Sequence, residues 1–111
     1  RSRMRTSIAF RPGAHVSAVT LDGWLAERPA LSGRVRCIKI DVGGGEARVI
    51  AGMHETLRSP GLTIICDTTI RGDADEALDA AGYQRHRIER GTQPHGHFLY
   101  VRPRRLTKFS T

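Results

Sequence analysis

Two short apolar runs, separated by a helical pattern, constrain the fold of this chain more than any other feature. Residues 35–42 read VRCIKIDV, with Arg36, Lys39 and Asp41 as polar exceptions, and residues 62–66 read LTIIC. Continuous apolar strands are typical of a parallel sheet that helices cover on both faces. Between the runs, apolar residues recur at helical spacing from Glu46 through residue 58. This strand-helix-strand unit predicts an α/β fold.

The rest of the chain extends the same plan. Thr20 is placed to cap a helix that starts at Leu21, and the segment HVSAV before it alternates like a short strand. A further short helix is predicted after Asp73, with Gly82 as its C-terminal stop. Residues 83–89 and 97–102 then read as two strands around the turn-rich RGTQPHG, most simply an antiparallel pair. The expected fold is therefore α/β, with parallel strands, an antiparallel terminal hairpin and flanking helices.

Length and composition point to one small globular domain. A chain of 111 residues buries a modest core without disulfides. We find neither an apolar segment of membrane-spanning length nor the apolar part of a signal peptide, so we expect a cytoplasmic protein with no membrane partner. Cys37 and Cys66 lie within the two apolar runs, where free cysteine packs as a small hydrophobe.

The net charge of +7 belongs to the two ends of the chain. Eight basic residues and no acidic ones lie before residue 14 and after residue 101, which leaves ten basic against eleven acidic residues between them. We therefore divide the chain into a basic flexible lead (residues 1–15), a domain (residues 16–102) and a basic tail (residues 103–111). The nearly neutral middle offers neither aromatic platforms nor a groove-reading helix, so no specific nucleic-acid partner is expected.

Several segments resemble a known family in their order as well as their content. Five segments, taken in this order along the chain, are similar to the carboxy-terminal half of FkbM-type methyltransferases, over about residues 16–102. They are VTLDGWL, IKIDVGGGEARVIAGMHETL, LTIICD, AGYQRHRIE and HFLYV. The core IKIDV followed by GE is the most specific part. The resemblance implies strands four to seven of the class I methyltransferase sheet, which is a partial Rossmann-like fold.

The resemblance also implies a function. Members of the family transfer a methyl group from S-adenosylmethionine, here to an oxygen or nitrogen of a small molecule or sugar. The cofactor is held chiefly by earlier strands of that sheet, and nothing before residue 16 supplies them, so we expect the isolated chain to be inactive. The alternative is a non-catalytic fragment or remnant that acts as a dimerising or binding module. One departure bears on both hypotheses, because Gly43 stands where the family usually has Glu.

The three consecutive glycines admit a second alignment. IDVGGG before a helix also looks like the cofactor loop of other methyltransferases, with Asp67 at the end of the next strand facing the ribose. On these grounds the candidate cofactor-binding residues are Gly43, Gly44, Gly45, Glu46 and Asp67. The GxGxxG pattern is incomplete, because an arginine occupies its third glycine position. The sequence of the following helix, IAGMHETL, also matches the FkbM pattern better than the pattern of a cofactor loop.

Asp41 is the candidate catalytic residue, since it is polar at the carboxyl end of an apolar strand, where open α/β sheets bind ligands. In a functional role it would bind substrate, a metal ion or the cofactor's amino group, or act as a base. In a structural role it would cap the glycine turn. His86, His95 and His97 lie near the terminal hairpin, but their spacing matches no recognised ligand pattern, so no metal site is predicted.

The strand at residues 35–42 has a consequence for assembly. In the complete family fold this strand would be central, whereas here it becomes an edge with unpaired backbone groups and apolar faces. Such edges recruit partners. We therefore expect a homo-oligomer formed through the exposed sheet edge, or through exchange of a helix.

Overall fold

A four-stranded mixed sheet organises the structure, a computed structural model that describes residues 5–11 and 14–103, with side chains from residue 16. In chain order the elements are β1 (Arg5–Arg11), β2 (Ala14–Val19), α1 (Leu21–Ala26), α2 (Pro29–Ser32), β3 (Cys37–Ile40), α3 (Glu46–Ala51), a 3-10 turn (Thr56–Arg58), β4 (Thr63–Thr69), α4 (Asp73–Ala80), β5 (Gln84–Arg87) and β6 (His95–Val101).

The order of strands in the sheet is β3-β4-β6-β5. β3 and β4 run parallel and are joined through α3, whereas β6 lies antiparallel to both β4 and β5. The predicted α/β class and the antiparallel terminal pair are confirmed at this level. β3 also occupies the edge of the described sheet, as expected for the strand at residues 35–42.

The apolar core lies on one face of the sheet. Alternate residues of β3, β4 and β6 bury there, and α3 and α4 cover them; the cluster includes Ile40, Ile64, Cys66, Tyr100, Ile50 and Leu78. The opposite face carries no buried residue in the described part of the chain: Cys37 and Lys39 are exposed, and Ile65 and Leu99 are half-buried. The prediction that helices cover both faces was wrong, because β3 alternates and its polar exceptions mark the open face.

The helix predicted through residue 58 is shorter in the structure: α3 ends at Ala51, and the next residue, Gly52, packs against the start of α1. A Cβ at Gly52 would lie 3.0 Å from Cβ and Cγ2 of Thr20. The carbonyl of Gly52 accepts a hydrogen bond from the backbone N–H of Asp22. The carboxylate of Asp22 accepts the backbone N–H groups of Glu55 and Thr56 and the Thr56 hydroxyl, at 2.6 to 2.9 Å. Asp22 thus caps the 3-10 turn from another helix. Thr20 caps α1 as predicted, accepting the Gly23 N–H at 3.0 Å.

A buried polar network ties α4 to the sheet. The carboxylate of Asp75, 6% exposed, accepts the Arg71 backbone N–H, the Arg85 guanidinium and the Tyr100 hydroxyl at 2.7 to 2.8 Å. The Tyr100 hydroxyl also lies 2.8 Å from that of Thr68. Burial raises the pKa of Asp75, but these donors outweigh it and hold that pKa below its usual value.

The first strand was not predicted. β1 lies inside residues 1–15, which the sequence analysis assigns to a flexible lead, and pairs antiparallel with β2. The predicted lead also includes the first two residues of β2. Residues 1–4 and 12–13 of that lead, and residues 104–111 of the predicted tail, lie outside the described residues. Within the described part of the chain, no helix is long and apolar enough to cross a membrane.

Candidate functional site

Asp41 and Asp67 meet at the edge of the sheet where the parallel strands β3 and β4 have their carboxyl ends. Asp41 directly follows β3, and the register that pairs Ile40 with Cys66 places it beside Asp67. His97 of β6 is the cross-strand partner of Asp67, so all three side chains share the open face. One ligand atom from each lies within 4.8 Å of the others. The predicted catalytic residue and one predicted cofactor residue therefore belong to a single cluster, which we call the carboxylate-histidine cluster.

His97 lies at the centre of this cluster. Its Nε2 is 3.2 Å from Oδ2 of Asp41, and its Nδ1 is 3.7 Å from Oε2 of Glu89. Its backbone N–H also donates to Oε1 of Glu89 at 2.8 Å. The hydrogen bond with Asp41 raises the pKa of the His97 imidazole, and the charges of the neighbouring carboxylates add to this. The imidazole thus carries more positive charge near neutral pH than a free histidine.

Glu89 is fixed by the same contacts. The backbone N–H of His97 lowers the pKa of the Glu89 carboxyl, and the imidazole charge lowers it further. The side chain approaches so closely that a Cβ at Gly96 would lie 2.5 Å from Oε1. Gly96 therefore permits this contact, and Glu89 is held against the side of the imidazole that faces away from Asp41.

A second imidazole borders Asp67. Nε2 of His95 is 3.1 Å from Oδ1 of Asp67, and its Nδ1 is 2.6 Å from the Thr69 hydroxyl. A cleft of about 360 Å³ opens beside the cluster and is lined by Asp67, Glu89, His95 and His97 together with Arg87 and Arg90. Both acidic and basic groups therefore face solvent here, an arrangement suited to binding a polar ligand or a cation.

The glycine turn follows Asp41 directly, and Glu46 closes it. The Glu46 carboxylate, buried against the turn, accepts the backbone N–H groups of Val42 at 2.9 Å and Gly44 at 3.0 Å. Burial raises the pKa of Glu46, but these N–H groups outweigh it and hold that pKa below its usual value. Glu46 thus stabilises its own turn, and two of the donors that a glycine loop would offer to a cofactor are already bonded to it.

The glycines themselves have different roles in the turn. Gly43 and Gly44 adopt positive φ angles of 67° and 110°, and nothing lies within 4 Å of a Cβ built on either. Gly45 has an ordinary φ and serves as the N-terminal cap position of α3. One side of the turn is therefore open to solvent beside Asp41, while the left-handed backbone at Gly43 disfavours the Glu that the family usually has there.

Sequence reasoning identified the two aspartates but not their histidine partner. The available signal was the pattern His95-Gly96-His97, which puts both imidazoles on one face of a strand. It did not reveal that this face is shared with Asp67, because the pairing of β6 with β4 is non-local. His86 lies apart, opposite Leu99 on the outer strand β5.

Comparison of the chain with protein-family models, curated proteins and solved structures finds no match.

Proposed function

We propose that this chain is the carboxy-terminal part of an FkbM-type methyltransferase domain, which transfers a methyl group from S-adenosylmethionine to an oxygen or nitrogen of a small molecule or sugar. One observation carries the proposal: Asp41 and Asp67 lie together at the carboxyl ends of adjacent parallel strands, beside an open glycine turn. Open α/β sheets bind their ligands at this edge. The parallel pair followed by an antiparallel pair also agrees with a partial Rossmann-like sheet.

Asp41 is the residue that acts on the acceptor in this proposal. S-adenosylmethionine supplies an electrophilic methyl group, so the protein's task is to align the nucleophile and, where needed, to remove its proton. The Asp41 side chain is 43% exposed, which leaves it accessible to an acceptor hydroxyl or amine. His97, 3.2 Å from Asp41, stabilises the carboxylate and is placed to share the proton.

The predicted cofactor residues fit S-adenosylmethionine only in part. The open side of the turn at Gly43 and Gly44 can approach a ligand. Glu46 is directed into its own turn, and Oδ1 of Asp67 lies 3.1 Å from Nε2 of His95, so a ribose would compete with contacts that both carboxylates already make. In the proposal, further strands of a complete domain would pair with the edge of β3 and hold most of the cofactor.

Calorimetric titration with S-adenosylmethionine tests the proposal. The natural polypeptide that contains these residues should bind one cofactor with micromolar affinity, whereas the 111-residue chain alone should not. Asp41→Asn in the natural polypeptide should reduce methyl transfer much more than cofactor binding. Failure of the natural polypeptide to bind the cofactor would overturn the enzyme hypothesis.

A non-catalytic dimerising module is the second candidate, and the open edge of β3 favours it. Cys37 and Val42 are exposed along or beside this edge, and Val42 is 53% exposed. Light scattering after size-exclusion chromatography should then show a dimer, and Cys37→Lys should shift it toward monomer because edge charges oppose strand pairing. A monomer at high protein concentration would contradict this candidate.

A further inference from the structure

The carboxylate-histidine cluster has the composition of a cation site as well as that of a catalytic one. Its three potential ligands come from separate parts of the chain, namely the end of β3, strand β4 and strand β6, and sheet register alone brings them together. We propose that Asp41, Asp67 and His97 bind a divalent first-row transition-metal ion, with Zn²⁺ as the preferred ion. This inference does not rest on the methyltransferase proposal.

The distances fit such a site with small side-chain movements. A tetrahedral ion about 2.1 Å from each oxygen or nitrogen ligand holds those atoms roughly 3.4 Å apart. Nε2 of His97 and Oδ2 of Asp41 are 3.2 Å apart, and all three ligand atoms lie within 4.8 Å of one another. Closing the largest separation requires movement on the order of 1 Å, which rotation of a half-exposed carboxylate supplies.

An independent observation comes from the groups behind the ligands. A histidine that binds metal through one ring nitrogen usually presents the other to a carboxylate, which orients the ring and increases its basicity. In His97, Nε2 lies 3.2 Å from Oδ2 of Asp41, while Nδ1 lies 3.7 Å from Oε2 of Glu89, a separation that allows charge attraction but is longer than a hydrogen bond. Glu89 is in turn held by the His97 backbone N–H. Asp67 has a comparable support, because His95 lies 3.1 Å from its Oδ1.

The ligand types select the class of ion. Two carboxylates and one imidazole suit Zn²⁺, Co²⁺ or Mn²⁺, whereas Mg²⁺ and Ca²⁺ take oxygen ligands. Among these ions, affinity for a given nitrogen and oxygen site rises from Mn²⁺ through Co²⁺ and is also high for Zn²⁺. The ligand side chains are 21% to 43% exposed, which leaves coordination positions open to water or a small anionic ligand.

The competing explanation is an ion pair, in which a protonated His97 neutralises the aspartates without any metal. Three other groups face His97 and bear on its protonation: Glu89 from the loop after β5, and Asp41 and Asp67 from the β3 and β4 side. A metal ion must displace the proton from His97, so binding of Zn²⁺ releases protons and weakens as the pH falls. An ion pair alone predicts no saturable binding of metal.

The test is calorimetric titration of the untagged 111-residue chain with Zn²⁺ at pH 7.5, repeated with Co²⁺ and Mg²⁺. One Zn²⁺ per chain is expected, with Co²⁺ giving visible absorption bands and Mg²⁺ failing to compete. His97→Gln should weaken binding by more than tenfold, and Glu89→Gln, which removes only the supporting carboxylate, by about tenfold. Two exposed residues away from the cluster serve as matched controls, so His54→Gln and Asp79→Asn should leave the affinity unchanged.

The outcomes separate cleanly when circular dichroism confirms that each variant is folded. Saturable binding that His97→Gln weakens and His54→Gln does not supports the site. Binding that all four variants leave unchanged would show adventitious association elsewhere, and absence of binding in the unmodified chain would leave only the ion pair; either result overturns the proposal. S-adenosylmethionine is absent throughout, so the result is independent of the methyltransferase proposal.

Discussion

Asp75→Asn is the substitution whose effect the structure defines best. The Asp75 carboxylate, almost fully buried, receives three donors: the Arg71 backbone N–H, the Arg85 guanidinium and the Tyr100 hydroxyl. Asparagine has nearly the same shape but no charge, and its NH₂ group replaces one acceptor with a donor. The substitution therefore changes the electrostatics of the network while leaving the packing of α4 against the sheet almost unaltered.

The magnitude follows from those contacts. Hydrogen bonds to a charged group contribute about 1.5–3 kcal/mol and neutral ones about 0.5–1.5 kcal/mol, so two retained bonds each lose roughly 1 kcal/mol. The donor that faces the new NH₂ group loses its partner, at about 1–3 kcal/mol. The Arg85 side chain is 33% exposed, and water offsets part of its loss. We expect the free energy of unfolding to fall by about 2–4 kcal/mol.

Urea unfolding at pH 7 measures this change, with Asp79→Asn on the exposed side of the same helix as the control. The control should stay within about 0.5 kcal/mol of the unmodified chain. Because the folded pKa of Asp75 is lowered, its stabilisation is complete above the unfolded value of 3.8 and is lost as the pH falls through the folded value. The two proteins should therefore converge in strong acid. A loss below 0.5 kcal/mol, or an equal loss for Asp79→Asn, would refute the reasoning.

Two further predictions concern packing and thiol reactivity. Gly52→Ala should cost about 1–3 kcal/mol in urea unfolding, because the added Cβ lies 3.0 Å from Thr20, whereas Gly33→Ala enters open space and should cost nothing. Equal effects of the two substitutions would contradict the close contact. A thiol reagent at pH 8 should modify exposed Cys37 in the folded chain but reach Cys66 only after denaturation, since burial raises the pKa of Cys66 to about 12. Two rapidly reacting thiols in the folded chain would contradict the placement of Cys66 in the core.

Local patterns predicted most of the sheet and its order. The apolar runs became β3 and β4, and the residues around RGTQPHG became β5 and β6. The helix after residue 73 buries Leu78, and Gly82, with a φ of 92°, ends it as predicted. Each of these elements has a signal within about ten consecutive residues, which is the range over which propensity and periodicity operate.

Two features that sequence patterns did not predict depend on contacts between distant segments. The helix predicted through residue 58 is interrupted where Gly52 meets α1, and Asp22 caps a turn more than 30 residues away. The hydrophobic periodicity of the residues between these segments does not indicate either contact. β1 has a local partner, the adjacent strand β2, and was missed because its own sequence, RTSIAFR, is only weakly alternating.

The candidate site was predicted only in part. Asp41 and Asp67 were identifiable because each follows or ends an apolar run, and parallel strands place their carboxyl ends together. His97 joins them only through the antiparallel pairing of β6 with β4. Glu46, which the sequence suggested as a cofactor residue, is directed to the N–H groups of Val42 and Gly44, a local contact that only the backbone geometry of the turn reveals.

We infer that the glycine turn after Asp41 is a structural turn closed by Glu46 rather than a complete cofactor loop. Amide resonances of the ¹⁵N-labelled 111-residue chain, recorded during titration with S-adenosylmethionine, test this most directly. The account predicts no saturable shift at Gly43, Gly44 or Gly45 up to millimolar cofactor. Saturable shifts centred on those three glycines, with micromolar affinity, would contradict it.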